Sequence, residues 1–479
     1  MTAGRDRALG ALALVLHSHM PYVEGFDTWP FGEEWLWEAV ACVYLPLLEI
    51  LDGAPVTIGL TPVLCDQLEA MRGDAGDRYL HFLRELRVPL HATEAAAMER
   101  DDEPQLAAEL RRAAADYARP ADAFERRNRD LLGAFRALRA VELWTSAASH
   151  AILPLLATDA GLRLQLATGL ASHRRRFGAW GGGFWLPECA YAPGLDRELA
   201  DAGVATFCVD QTAVHARGAR EHLEPVRTAA GPVAVPVDWE AVELVWHPGE
   251  GYPVQAAYRD YHRRTRYDLR PWDNGGRPYH RAAAVALARG HARHFVAHAR
   301  QRLRDGGLLC CALDTELLGH WWYEGPVWLG EVLVEADLQG LRLVTVSEGL
   351  RSVEPVERSL AASTWGTGKD LATWDGPQAA ELAFGARGAE LRTVAAAATR
   401  SDPRPALERA ARELLALQAS DWAFMVTRAA AGDYPLRRVR AHGGAHDAAL
   451  AALDGATPVP EAVVRNLAPD LDVASLTAP

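Results

Sequence analysis

Residues 308–322 read LLCCALDTELLGHWW, and this stretch decides the fold. Its first six residues are apolar at odd and even positions alike, which marks a strand buried on both faces. The run stops at Asp314, and Thr315, Glu316, His320, Trp321 and Trp322 follow at once. Chemically active side chains crowded at the end of a buried strand point to a covered parallel sheet, whose C-terminal strand ends build the site.

Moving outward, comparable apolar runs occur at 9–16, 56–60, 141–145, 184–186 and 206–209, with 341–346 as a seventh candidate. Segments of helical period, such as 33–51 and 162–177, lie between them. This alternation specifies an α/β protein, either a barrel or a doubly wound sheet. Two stretches interrupt it. Residues 77–138 are rich in Glu, Arg and Ala and read as an inserted helical domain with a solvated charged face. Residues 212–246 carry Gly and Pro punctuation with short β-like pieces at 233–237 and 240–245, and read as a loop and hairpin beside the mouth of the fold. From 354 to 455 the helical segments 379–398 and 405–431 indicate a C-terminal helical domain. The tail 456–479 has little periodicity and is expected to pack loosely or to be disordered. The catalytic unit is therefore expected to comprise 1–76 and 139–353.

Composition narrows the function. With 479 residues, 49% hydrophobic and 24% charged, the chain is a globular protein too long for one ordinary core. A formal net charge of −13 disfavours nucleic acid and suits a neutral substrate. No run approaches the roughly 18 apolar residues of a membrane span, so no membrane partner is expected. The six cysteines form no C-x-x-C pair and sit mostly in apolar runs, as expected of buried thiols in a reducing compartment, here read as the cytoplasm.

Two further strand ends resemble the first. The run 9–16 continues into His17-Ser18-His19-Met20-Pro21-Tyr22, which places two imidazoles on one side of an extended segment. Metal ligation, sugar binding and structural hydrogen bonding all remain open for them. Residues 184–191 read FWLPECAY, ending an apolar strand on Glu188, a carboxylate that must be either paired or functional. Two carboxylates on different strand ends can meet across a barrel mouth. Glycoside cleavage needs such a pair, one ionised and one protonated, roughly 5–5.5 Å apart in retaining enzymes. The 15 tryptophans add flat apolar faces that suit pyranose rings, notably Trp246 and, in a polar Ser/Thr/Gly-rich stretch, Trp365 and Trp374.

Taken together these segments resemble glycoside hydrolase family 57, in its branching-enzyme-like branch. The resemblance rests on Leu16-His17-Ser18-His19-Met20-Pro21-Tyr22, on 59–64, on Trp185-Leu186-Pro187-Glu188-Cys189-Ala190-Tyr191 and on 314–322, with weaker matches at 142–155, 363–366 and 419–422. It implies a (β/α)7 barrel with an inserted and a C-terminal helical domain. It further implies double displacement on an α-glucan polysaccharide or maltooligosaccharide, without metal or organic cofactor. Under it Glu188 is the nucleophile and Asp314 the acid/base. His17, His19 and His150 line the donor subsite, and Trp246, Trp321, Trp365, Trp374, Asp421 and Trp422 contact substrate. One feature departs from the family. Its branching members close a tyrosine-bearing loop over the site, and 212–236 here contains no tyrosine. Leu223 lies where that residue is expected, and Tyr252 is a substitute from a neighbouring turn. Branching of an α-1,4-glucan through an α-1,6 linkage is therefore the first reading and hydrolysis by the same pair the second. A carbohydrate-binding protein with a dead barrel and a metal-dependent deacetylase are the readings from other classes.

Overall fold

The computed structural model describes residues 9–399, 405–454, 464 and 466–478. Strand β1 (Ala11–Ser18) is buried at every position, so both its faces are covered. It pairs in parallel with β2 (Thr57–Leu60), and the parallel order continues through β3 (Glu142–Ser146), β4 (Gly183–Trp185) and β5 (Thr206–Val209). The two-residue β6 (Val226–Arg227) turns back antiparallel onto β7 (Val233–Pro236), and β7 pairs in parallel with β5. On the other side β1 pairs in parallel with β8 (Leu308–Asp314). A parallel bridge between Val237 and Cys310 joins the two ends, with Asp238 N donating to Cys310 O at 2.9 Å. The ring is thus a barrel of seven parallel strands, β1, β2, β3, β4, β5, β7 and β8.

Membership of the ring differs from the sequence expectation at one place. The seventh strand is β7, taken from the stretch read as a hairpin beside the mouth. The segment expected in that role contributes β9 (Arg342–Val344), which pairs only with Ala11–Ala13, below the β2 pairing of β1. The two-residue β10 (Val356–Glu357) extends the sheet on β6. The β-like reading of 240–245 is also corrected, because Trp239–Trp246 is a helix. Asp238 stops the strand and caps this helix, accepting from Ala241 N while Arg302 holds its other oxygen at 3.0 Å.

Between β2 and β3 the chain makes helices Asp74–His81, Val88–Arg100, Pro104–Arg126 and Leu131–Ala137. Arg87, buried at the base of this excursion, lies 3.3 Å from Glu38 and 4.8 Å from the Tyr117 ring, which ties the excursion to the helix after β1. In that helix a π-type turn, Val40–Tyr44, precedes Pro46. Pro46 has no N–H for the Cys42 carbonyl, and Gly319, whose own N–H donates to Trp322 O, packs its bare Cα against that carbonyl. A Cβ at Gly319 would stand 2.1 Å from Cys42 O, and its φ is 117°.

Helices Ala380–Ala398, Pro405–Leu417, Ser420–Thr427 and Tyr434–Ala451 pack against the barrel's mouth side. The segment expected as one helix, 405–431, breaks at Ala419, which forms an antiparallel bridge with Ala151. The tail is corrected where it is described: Val464, Leu467, Ala468, Val473 and Leu476 are buried with Leu164 and the C-terminal helices, and Ala468 N donates to Asp66. Residues 456–463, 465 and 479 of the tail lie outside the described residues.

Candidate active site

Glu188 follows β4 on a 3-10 turn, Pro187–Cys189. Its backbone is left-handed, with φ 58° and ψ 24°, and Cys189 follows at φ 50°. Non-glycine residues hold such angles only where their surroundings over-determine them. Here Trp365 does so twice. Its backbone N donates to Glu188 O at 2.9 Å, and its indole Nε1 donates to Glu188 Oε2 at 2.8 Å. Tyr191 and Ser363 exchange both backbone hydrogen bonds and fix the Trp365 segment beside β4.

Asp314 is the last residue of β8, and the β1–β8 register sets it opposite His17. One residue further on, Ser18 Oγ donates to Thr315 Oγ1 at 2.8 Å, which locks the two strand ends together. Glu316 accepts from His19 N at 3.2 Å and from Tyr44 Oη at 2.5 Å. The π-type turn after β1 thereby places a phenol directly behind the site.

The three histidines form one stacked array. His17 and His150 share a hydrogen bond between Nε2 atoms at 2.9 Å, and His19 stacks on His150 with ring centroids 4.0 Å apart. Trp185 stacks on His17 at 4.5 Å and meets Trp365 edge-on at 4.9 Å. His150 Nδ1 lies 2.8 Å from Ser420 Oγ and 3.8 Å from Glu188 Oε1. His19 is held between Thr61 Oγ1 at 3.1 Å and Asp421 Oδ2 at 2.9 Å. The break at Ala419 aims Ser420 and Asp421 into the mouth, so residues from β1, β3, β4, β8 and the C-terminal helices share one site.

Electrostatics follow from burial. Glu188 is pushed up to about 8, first by loss of water and then by repulsion from Asp314, partly offset by the Trp365 N–H. Burial likewise raises Asp314 to about 6, with His19 opposing. Two carboxylates that repel in one cavity retain a proton between them near neutrality. Burial also raises Glu316 to about 8 and holds His17 and His150 well below their usual range, so both imidazoles stay neutral. Among the described residues no cluster of three or more His, Cys, Asp or Glu side chains could hold a metal ion.

The tryptophans divide. Trp365 is half-buried beside Glu188. Trp321 is exposed on the loop after β8, against Tyr261 with ring centroids 4.5 Å apart, and Trp246 is exposed at the end of its helix. Trp374 and Trp422 correct the expectation of substrate contact. Trp374 is buried against Ile152 and Ala190, and Trp422 is buried with Nε1 donating to Ala416 O at 2.7 Å. Neither offers an open face. Leu223 is buried beside Gly307 and Tyr252 is buried with its hydroxyl 2.7 Å from His294 Nδ1, so neither replaces the loop tyrosine. Sequence reading passed over Tyr44, which carries no motif of its own, and gave no role to Thr61 and Ser420 although they lie within 59–64 and 419–422. It also passed over Asp210, a fully buried carboxylate after β5 that pairs with Lys369 at 2.7 Å.

Residues 13–237 match the profile of glycosyl hydrolase family 57, and residues 387–471 match that of a 1,4-alpha-glucan branching enzyme C-terminal region. The chain is 36% identical over 499 residues to a probable 1,4-alpha-glucan branching enzyme of Mycobacterium tuberculosis, covering 91% of this chain and 90% of that one. It is 33% identical to a 1,4-alpha-glucan branching enzyme of Thermococcus kodakarensis, covering 90% of this chain and 72% of the other. The crystal structure of a branching enzyme of the same family from Pyrococcus horikoshii superposes with a TM-score of 0.91 at 28% identity, covering 98% of this chain and 96% of that one.

Proposed function

The chain belongs to glycosyl hydrolase family 57, and from that premise we propose that it is a branching enzyme of α-1,4-glucan working by double displacement. The observation that carries the residue roles is the placement of two partly buried acids in one mouth: Glu188 on the turn after β4, 3.8 Å from His150, and Asp314 at the end of β8 opposite His17, where it repels the charge on Glu188. Glu188 attacks the anomeric carbon, the C1–O4 bond breaks, and Asp314 gives its proton to the departing O4. The glucosyl ester on Glu188 is then displaced by the 6-hydroxyl of an acceptor chain, whose proton returns to Asp314. The configuration at C1 is retained. The Trp365 N–H favours the charge on Glu188 that attack requires; burial and Asp314 still hold Glu188 at about 8 against about 6 for Asp314, so the resting proton sits on Glu188 and passes to Asp314 in the reactive tautomer.

His17, His19, His150 and Asp421 present polar edges to the donor sugar, and Trp365, Trp321 and Trp246 offer faces for the glucan chain. The barrel, 1–76 and 139–353, carries the chemistry, while 77–138 and 354–455 shape its walls. We place the activity in storage-polysaccharide synthesis in the cytoplasm, consistent with buried, unpaired cysteines. No helix among the described residues is long and apolar enough to cross a membrane.

Hydrolysis is the second reading, favoured by the absence of a tyrosine in 212–236 and the burial of Leu223 and Tyr252. Transfer needs water kept from the ester. Amylose incubated with the enzyme and then treated with a debranching enzyme separates the two. New chains released only by debranching support transfer; rising reducing ends with nothing to debranch would leave hydrolysis.

A further inference from the structure

The chain has 50 cationic Lys and Arg residues, and Lys369 is its only lysine. A protein that uses arginine at every other such position, surface and core alike, keeps a lysine where a guanidinium does not serve. Lys369 stands in a narrow slot. Its Nζ donates to Asp210 Oδ2 at 2.7 Å, lies 3.4 Å from the centroid of the Trp239 ring, and is 3.5 Å from Trp365 O. Asp210 is fully buried, and its other oxygen accepts from Thr212 N and Oγ1. The compact ammonium lies against the indole face and on one carboxylate oxygen together; a guanidinium stacks and pairs elsewhere in this chain, as Arg87 does, but its greater bulk would have to displace the turn to do so here.

Lys369 also closes the turn that carries Trp365. Lys369 N donates to Gly366 O, Thr364 N donates to Lys369 O, and Lys369 itself is left-handed with φ 60°. The turn is otherwise glycine-rich and its residues 367 and 368 are exposed. We propose that Lys369 is a positioning residue: it stakes the 363–370 turn to the end of β5 and so holds the Trp365 indole N–H on Glu188. It touches neither substrate nor the reacting atoms. The proposal rests on the reading of Glu188 as nucleophile.

The test compares Lys369→Met and Lys369→Arg with the wild type on amylose. Displacing the indole by about 1 Å costs on the order of 100-fold in kcat, with KM held within about threefold because, of the glucan contacts, only that of Trp365 is disturbed. Lys369→Arg restores neither kcat nor the Trp365 contact, although it restores charge. Wild-type kcat in either variant overturns the proposal. Should the variants misfold, the folded wild type serves, since reductive dimethylation reaches only Lys369 and the terminal amine. Turnover then falls in step with Lys369 dimethylation, counted by peptide mass; full dimethylation at Lys369 with undiminished turnover overturns the proposal. Glu188→Gln run alongside tests the underlying reading separately. If it stays active that reading fails, whereas an inactive Glu188→Gln beside a fully active Lys369→Met sinks only the role of Lys369.

Discussion

At Glu188 backbone and side chain are fixed by the same partner, Trp365, so the carboxylate cannot swing away from Asp314 to relieve their repulsion. The pair therefore titrates as a unit, taking its second proton near pH 6 and losing its last near pH 8. Only the singly protonated pair has both an attacking carboxylate and a proton to give. The kcat/KM of the wild type is expected to peak between these values and to fall on both sides, the acid limb from neutralising the nucleophile and the alkaline limb from stripping the acid. A flat profile from pH 5 to 9 contradicts the assignment. Substitution separates the roles. Glu188→Gln loses turnover on every substrate. Asp314→Asn loses turnover on amylose but still releases a leaving group acidic enough to depart unprotonated, seen as a burst of that group. Full activity of Asp314→Asn on amylose excludes it as the acid.

Among the elements, the loop after β8 shows how a barrel holds its mouth open. Gly319, with φ 117°, fits against the carbonyl that Pro46 leaves free, and a methyl there meets Cys42 O at 2.1 Å. Gly319→Ala must move either the helix after β1 or the loop with Glu316 and Trp321, at a cost of about 3 kcal/mol or more. Urea unfolding should show that loss, with Tyr44 and Glu316 drawn apart and activity falling with them. The apolar runs were legible because strands buried on both faces leave no other reading, and the acids at 188 and 314 stood out because they ended such runs. The seventh strand was not legible. Val233–Pro236 is short and follows a two-residue antiparallel partner, so its local pattern is that of a hairpin; only the long-range bridge to Cys310 makes it part of the ring. Likewise 240–245 has a strand-like composition, and it is Asp238, as a cap, that starts a helix. Trp374 and Trp422 misled for a related reason. A tryptophan in a polar stretch, as Trp374 is, looks exposed until the C-terminal helices close over it, whereas Trp422 entered with the resemblance at 419–422; the burial of both depends on residues far away in sequence.

For the molecule as a whole, the same burial that prepares the site sets how stability varies with pH. Glu34, Glu188 and Glu316 are raised to about 7, 8 and 8, all above their value of 4.5 in an unfolded chain. Below that unfolded value they cost nothing, and as pH rises through the folded values each must ionise in a dry place, so stability is lost. His17 and His150 act with the opposite sense. Their folded values lie well below 6.5, so the stability of keeping them neutral is complete above pH 6.5 and drains away as pH falls beneath it. Between about pH 4.5 and 6.5 the two groups oppose each other. Between about 6.5 and 8 only the carboxylates act, and each unit of raised pKa corresponds to roughly 1.4 kcal/mol. The melting temperature is therefore expected to decline steadily from pH 6.5 to 8. The double variant Glu188→Gln with Glu316→Gln should lose most of that decline while matching the wild type near pH 5, and Glu34 and Glu324, both also raised by burial, should account for the remainder. Scanning calorimetry across this range decides the matter: a double variant that follows the wild-type slope shows that these acids are hydrated in the folded protein, and with that the dry, proton-sharing mouth on which the transfer chemistry depends would be lost.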